Sequence, residues 1–148
     1  MSRGFFMLLI FGIGNQSRGD DGLGWALLDA VAPFCPPESV LEYRYQLMVE
    51  DAELLQNFTR VLFVDASHEP APAGAVLQPC YPLEESFIST HRLEPGGVLY
   101  LAKSLYGCEP EAYILAMQGY QWELGDELSE AARGNLEEGI RLVRAWMG

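Results

Sequence analysis

Two adjacent carboxylates, Asp20 and Asp21, close the glycine-rich stretch Gly12-Ile13-Gly14-Asn15-Gln16-Ser17-Arg18-Gly19. A third, Asp65, directly follows the apolar run Val61-Leu62-Phe63-Val64, and the only two histidines are His68 and His91. One neutral imidazole with two carboxylates makes a borderline nitrogen and oxygen donor set. It suits nickel, zinc or another divalent first-row ion and leaves positions open for water or a substrate ligand. His91, within Ser89-Thr90-His91-Arg92-Leu93-Glu94-Pro95, is the first choice for the nitrogen ligand, and His68, close to Asp65 in sequence, is the second. Each residue also has a plainer reading. His91 alone reads as a surface or capping histidine, Asp65 as a polar strand terminus, and the aspartate pair as a helix-opening turn capped by Asp20.

The elements around these residues decide whether the donors can meet. The run over 5–11 is continuously apolar and too short to span a bilayer, so it reads as a strand covered on both faces, as in a parallel sheet. Leu23, Ala26, Leu27, Ala30 and Val31 then recur at helical spacing until Pro33 and Pro36-Pro37. A second strand is expected over 39–45, and a short helix over 50–58 with Leu54 and Leu55 inward. The run over 61–64 is a second central strand ending at Asp65. Residues 74–78 form a short strand that Pro79 places near an edge. An irregular segment covers 80–97, of a length that in compact domains is often functional. A helix over 98–105 stops at Gly107, and 113–117 is the last core strand. The final helix covers 129–147, with Ser129 as N-cap and Leu136, Ile140, Val143 and Trp146 on its buried side.

Strands alternating with helices imply one three-layer α/β domain over 1–148, with the carboxyl ends of the parallel strands on one edge, where ligands bind. Asp20 or Asp21 after the first strand and Asp65 after the third converge there if those strands are neighbours.

Other chemistries fit less well. Ser17 stands where the dinucleotide fingerprint needs its third glycine. Gly14 and Gly19 have P-loop spacing, but Asp20 and Asp21 follow where Lys and Ser or Thr should hold phosphate and magnesium. No Ser-His-Asp arrangement and no His-Glu-x-x-His helix is visible. Cys35, Cys80 and Cys108 have no Cys-x-x-Cys spacing and no nucleophile context, which points to a reducing cytoplasm rather than to a disulfide framework or structural zinc. The formal charge of -12 disfavours nucleic acid and anionic membranes and favours a basic or metal-bearing partner. The apolar run near the start lacks a small-residue cleavage site, so a signal peptide is not expected. Tyr43, Tyr45 and Tyr120 are expected to be buried in the ordinary way, with an exposed interface as the alternative.

Taken together, Gly12-x-Gly14-Asn15, Gly19-Asp20-Asp21-Gly22-x-Gly24, Val64-Asp65-Ala66 and His91-x-Leu93 resemble the signature blocks of the hydrogenase maturation proteases. These are endopeptidases that trim the C-terminal extension of the nickel-iron hydrogenase large subunit. The resemblance covers most of the chain, including Leu124-Gly125-Asp126-Glu127-Leu128-Ser129. It implies a three-layer α/β/α fold around a mostly parallel, mixed five-stranded sheet. It also implies a nickel-sensing site of Asp21, Asp65 and His91, shared with catalysis, in which Asp20 is a helix cap or supporting group.

The nickel would be supplied by the substrate, the precursor of the large subunit, and no organic cofactor is implied. A non-catalytic checkpoint or chaperone that binds the same precursor is the alternative. The chain departs from the family pattern in two places. Arg44-Tyr45-Gln46-Leu47 stands where many members carry a Gly-Thr turn, and Glu94 stands before Pro95 where a smaller capping residue is usual.

Overall fold

The computed structural model describes residues 7–84 and 92–148. Its five strands are β1 (Leu8–Ile13), β2 (Val40–Arg44), β3 (Arg60–Ser67), β4 (Ala75–Pro79) and β5 (Glu111–Gln118). The helices are α1 (Leu23–Val31), α2 (Glu50–Leu54), α3 (Pro95–Tyr106) and α4 (Glu130–Met147). The sheet order is β2-β1-β3-β5-β4, with only β4 antiparallel. This is the mostly parallel, mixed sheet expected from the sequence.

Every residue of β1 is buried, because the strand is covered on both faces. On one face Leu9, Phe11, Ile13, Val61 and Phe63 pack with Leu55 of the turn after α2 and with Val98 and Ala102 of α3. On the other, Leu8, Ile10, Leu62 and Val64 pack with Leu27 and Leu28 of α1 and Val143 of α4. Phe11 and Phe63, from adjacent strands, lie parallel with ring centroids 5.4 Å apart.

Several boundaries move. β1 runs on through Gly12 to Ile13, and β3 extends past Asp65 to Ser67. Asp65 therefore sits within a strand, not after one. α3 starts at Pro95, three residues before the expected 98, because proline is well suited to the first helical turn where its missing N–H costs nothing. Gly107 closes α3 in the left-handed region at φ 63°, as expected. Ser129 caps α4, its hydroxyl accepting from the Ala132 N–H at 3.1 Å. Of the residues expected on the inner side of α4, Val143 is fully buried, whereas Leu136, Ile140 and Trp146 pack at the margin. Ala132 and Gly139 make up the rest of the buried face, because only small residues fit where the helix presses on the sheet. A Cβ on Gly139 would lie 2.8 Å from the Met117 sulfur.

The expectation for the tyrosines fails. Tyr43, Tyr45 and Tyr120 are 37%, 66% and 48% exposed, because β2 is an edge strand and Tyr120 follows the end of β5. The three cysteines are free thiols. Among the described residues no helix is long and apolar enough to cross a membrane.

Candidate functional site

In parallel strands, paired residues point to the same face, so register decides what can meet at the carboxyl edge. Ile13 pairs with Arg44 on one side and Asp65 on the other, and Asp65 pairs with Ala116. Arg44, Ile13 and Asp65 thus form a row across β2, β1 and β3, on the face shared with α2 and α3. Beyond Ile13 the chain turns at Gly14, whose φ of 135° is one that side chains avoid, and a Cβ there would collide with the Asp21 carbonyl oxygen. The glycine lets the loop fold tightly back onto Asp21.

Asp21 lies in a single 3-10 turn, Gly19–Gly22, that leads into α1. The Asn15 N–H donates to its Oδ2 at 2.8 Å, and the Ser17 N–H donates to Asn15 Oδ1 at 2.8 Å. The loop therefore orients the carboxylate through its own backbone. Gly24 brings this turn against the sheet, since a Cβ there would meet the backbone of Ile13 and Val64 at 2.7 to 2.8 Å.

Asp65 is the electrostatically unusual group. Burial, and next the negative charge of Asp21, push its pKa from 3.8 up to about 7. The positive charge of Arg92 and a hydrogen bond from the Ala66 N–H pull it down, and Glu94 pushes it further up. The two carboxylates are close enough to repel, as two anions sharing one site do. A cation between them would relieve that repulsion. The donor chemistry therefore fits a divalent ion presented from outside, with Asp21 and Asp65 as oxygen ligands.

His91 lies outside the described residues. Its neighbour Arg92 acts electrostatically on Asp65, and Leu93 forms an antiparallel bridge with Leu47. Among the described residues no three metal-ligating side chains converge. His68, the second choice, is stacked on Trp122 with ring centroids 3.8 Å apart.

Asp20 does not cap α1. The N-cap of that helix is Gly22, which makes no side-chain bond. Asp20 is instead fully buried and accepts hydrogen bonds from the N–H groups of Tyr120, Gln121 and Ser129 and from the Ser129 hydroxyl, all between 2.7 and 3.1 Å. Burial alone would raise its pKa, but these bonds outweigh it and hold the carboxyl below the ordinary aspartate value. Its backbone N–H donates to the Gln121 carbonyl at 2.8 Å, and that of Gly19 to the Asp126 carbonyl at 3.0 Å. The segment between β5 and α4 thus clamps the turn that carries Asp21.

A second brace comes from β2, where the Arg44 carbonyl accepts from the Gly14 N–H at 2.9 Å and from Trp25 Nε1 at 3.0 Å. The Arg44 guanidinium forms a bridge with Asp51 at 2.9 Å, and the same aspartate accepts from the Met48 N–H. These supporting residues carried little sequence signal. Ser129 was visible as a cap, but its second bond to Asp20 spans more than a hundred positions.

No protein-family model matches the sequence, and no curated protein matches it significantly. Solved structures do match. The HycI [NiFe] hydrogenase maturation protease of Thermococcus kodakarensis KOD1 superposes with a TM-score of 0.71 at 26% identity, covering 96% of this chain and 92% of its own. The hydrogenase maturating endopeptidase HybD of E. coli gives 0.75 at 18% identity, covering 95% and 91%. A hydrogenase 2 maturation peptidase from Thaumarchaeota archaeon SCGC_AB-539-E09 gives 0.68 at 21%, covering 96% and 98%. The fold thus agrees with the resemblance drawn from the sequence motifs.

Proposed function

We infer that this chain is a hydrogenase maturation protease, a peptide hydrolase, from ordered motifs that resemble that family and a fold that matches its solved members. We propose further that it removes the C-terminal extension of a nickel-iron hydrogenase large-subunit precursor after nickel insertion. Nickel held by the precursor is the recognition element, and Asp21, Asp65 and His91 are the residues that complete its coordination.

The observation that carries this reading is the pairing of Asp21 with the partly buried Asp65 at the carboxyl edge, where Asp65 has a pKa of about 7. Two repelling carboxylates hold a proton in place of a cation when no cation is present, and release it when one arrives. A precursor that carries nickel satisfies the pair, and one without nickel does not. Cleavage is thereby tied to metal insertion.

Peptide hydrolysis also needs a base for the attacking water and polarisation of the scissile carbonyl. One of the carboxylates takes the water proton, or the substrate nickel acts as Lewis acid on the carbonyl. Asp20 touches neither. Its work is to hold the Gly19–Gly22 turn so that Asp21 faces Asp65.

The test is cleavage of the nickel-loaded precursor by Asp21→Asn, Asp65→Asn and His91→Ala, with folding verified by circular dichroism. Each variant is expected to lose processing by at least a hundredfold while remaining folded. Full cleavage by a folded Asp21→Asn/Asp65→Asn double variant would remove these residues from the mechanism. Tight precursor binding by the wild-type chain with no shortened product would replace the protease by a checkpoint that binds without cutting.

A further inference from the structure

The stretch 43–49 carries a surface that the catalytic reading does not use. Trp25 on α1 packs against Tyr43 edge-on and against Tyr45 in a parallel stack, both at 5.4 Å between ring centroids. Tyr45 is nevertheless 66% exposed, and Met48 and Val49 are 47% and 56% exposed. A stretch of seven residues, 43–49, thus offers water four large apolar side chains, and Trp25 backs two of them. Concentrated apolar exposure of this kind marks an interaction surface more than scattered single residues do.

We propose that this aromatic ledge docks a stretch of the hydrogenase precursor that is apolar and carries Lys or Arg. The proposal rests on the reading of the chain as a precursor-processing protease, and it adds where on the chain the partner is held. Charge complementarity selects the occupant. Asp29 accepts the Tyr43 hydroxyl at 2.6 Å, Glu42 and Glu50 flank the stretch, and the Arg44 charge is engaged by Glu42 and Asp51. Exposed aromatic faces beside carboxylates favour a cation, through the ring and the acid together. A second copy of this chain is the wrong partner, since each copy carries a formal charge of -12 and would repel the other.

Continuity with the site gives the ledge its use. The Arg44 carbonyl joins both the Gly14 loop and Trp25, and Leu47 pairs with Leu93, two positions after His91. The ledge therefore adjoins, through the Arg44 carbonyl, the Gly14 loop that holds Asp21.

The experiment compares wild type with Tyr45→Ala/Val49→Ser and with Glu50→Lys, using the cognate nickel-loaded precursor. Cleavage kinetics are read at several salt concentrations, and precursor affinity is read separately in an Asp21→Asn background. The ledge variant is expected to lower kcat/KM about tenfold, mostly through KM, and to weaken binding by a similar factor, as loss of a central aromatic anchor does. Glu50→Lys is expected to flatten the salt dependence.

Unchanged KM and affinity in a folded ledge variant would overturn the proposal while leaving the protease reading in place. Ledge-dependent binding without any cleavage would sustain the ledge and remove the protease. A wild-type dimer in sedimentation that the ledge variant dissolves would assign the surface to self-association and overturn it.

Discussion

Asp20 and Ser129 are joined twice, the Ser129 N–H donating to one carboxylate oxygen at 2.7 Å and its hydroxyl to the other at 2.8 Å. The bond couples the turn after the first strand to the start of the last helix. Ser129 in turn caps α4 through Ala132, so one serine serves both the helix and the site. The neighbour of Asp20 is the proposed ligand Asp21, which makes this contact the anchor of the functional edge.

Replacing Asp20 by Ala removes the acceptor for three partly buried N–H groups, those of Tyr120, Gln121 and Ser129. Unsatisfied buried donors cost about 1 to 3 kcal/mol each before relaxation, so a net loss of about 3 to 4 kcal/mol is expected in urea denaturation. Because its folded pKa lies below 3.8, the stability that Asp20 contributes is present above that value. It is lost as the pH falls through the lower folded value. The deficit of the variant should accordingly shrink in strong acid, and a constant deficit down to that range would deny the linkage.

Asp65 has the opposite sign. Its folded pKa of about 7 exceeds the unfolded value of 3.8, so the native state holds a proton that the unfolded chain releases between those limits. Stability falls as the pH rises through this window, and the penalty is complete above it. Asp65→Asn should therefore be more stable than wild type by about 4 kcal/mol at pH 8 and equal to it below pH 3.8. It should also fail to process precursor. Equal melting temperatures at pH 8 would show that the carboxylate is not held at a cost in stability.

Gly14→Ala tests the tight loop. Strain at φ 135° and the clash with the Asp21 carbonyl should destabilise the protein by about 2 kcal/mol or more. Processing should fall further than stability alone explains, because Asn15 then no longer presents its N–H to Asp21. Thermal unfolding beside a cleavage assay at low temperature separates the two effects.

The Arg44–Asp51 bridge is mostly shielded from water, its side chains 26% and 4% exposed. Asp51→Ala strips both the guanidinium and the Met48 N–H of a partner, and a loss of about 2 kcal/mol is expected. Asp51→Asn keeps the Met48 acceptor and should cost less. A double-mutant cycle with Arg44→Met isolates the ionic part.

The alternation of apolar runs and helical stripes revealed the sheet, its central strands and the edge position of β4. Hydrophobic periodicity is a local signal that tertiary packing seldom overrides in buried runs such as β1 and the Val61-Leu62-Phe63-Val64 centre of β3. The limits of α3 and β3 were less legible, because Pro95 and Asp65 are punctuation residues that regular elements accept at their ends or within them. Of the two readings of Asp20, the supporting group holds and the local cap fails, for a physical reason. Its partners lie on the segment after β5, and no short-range pattern encodes a contact of that span. Tyr43 and Tyr45 were expected inside because aromatic residues usually are, but an edge strand leaves one side uncovered, and here that side continues to the functional edge.

The central claim is that cleavage depends on nickel in the substrate, and intact-mass spectrometry of the cognate large-subunit precursor tests it directly. The nickel-loaded and nickel-free forms are each incubated with this protein. Loss of a discrete C-terminal peptide from the loaded form alone is the expected result. Equal trimming of both forms would contradict nickel recognition by Asp21, Asp65 and His91, and trimming of neither would contradict the protease itself.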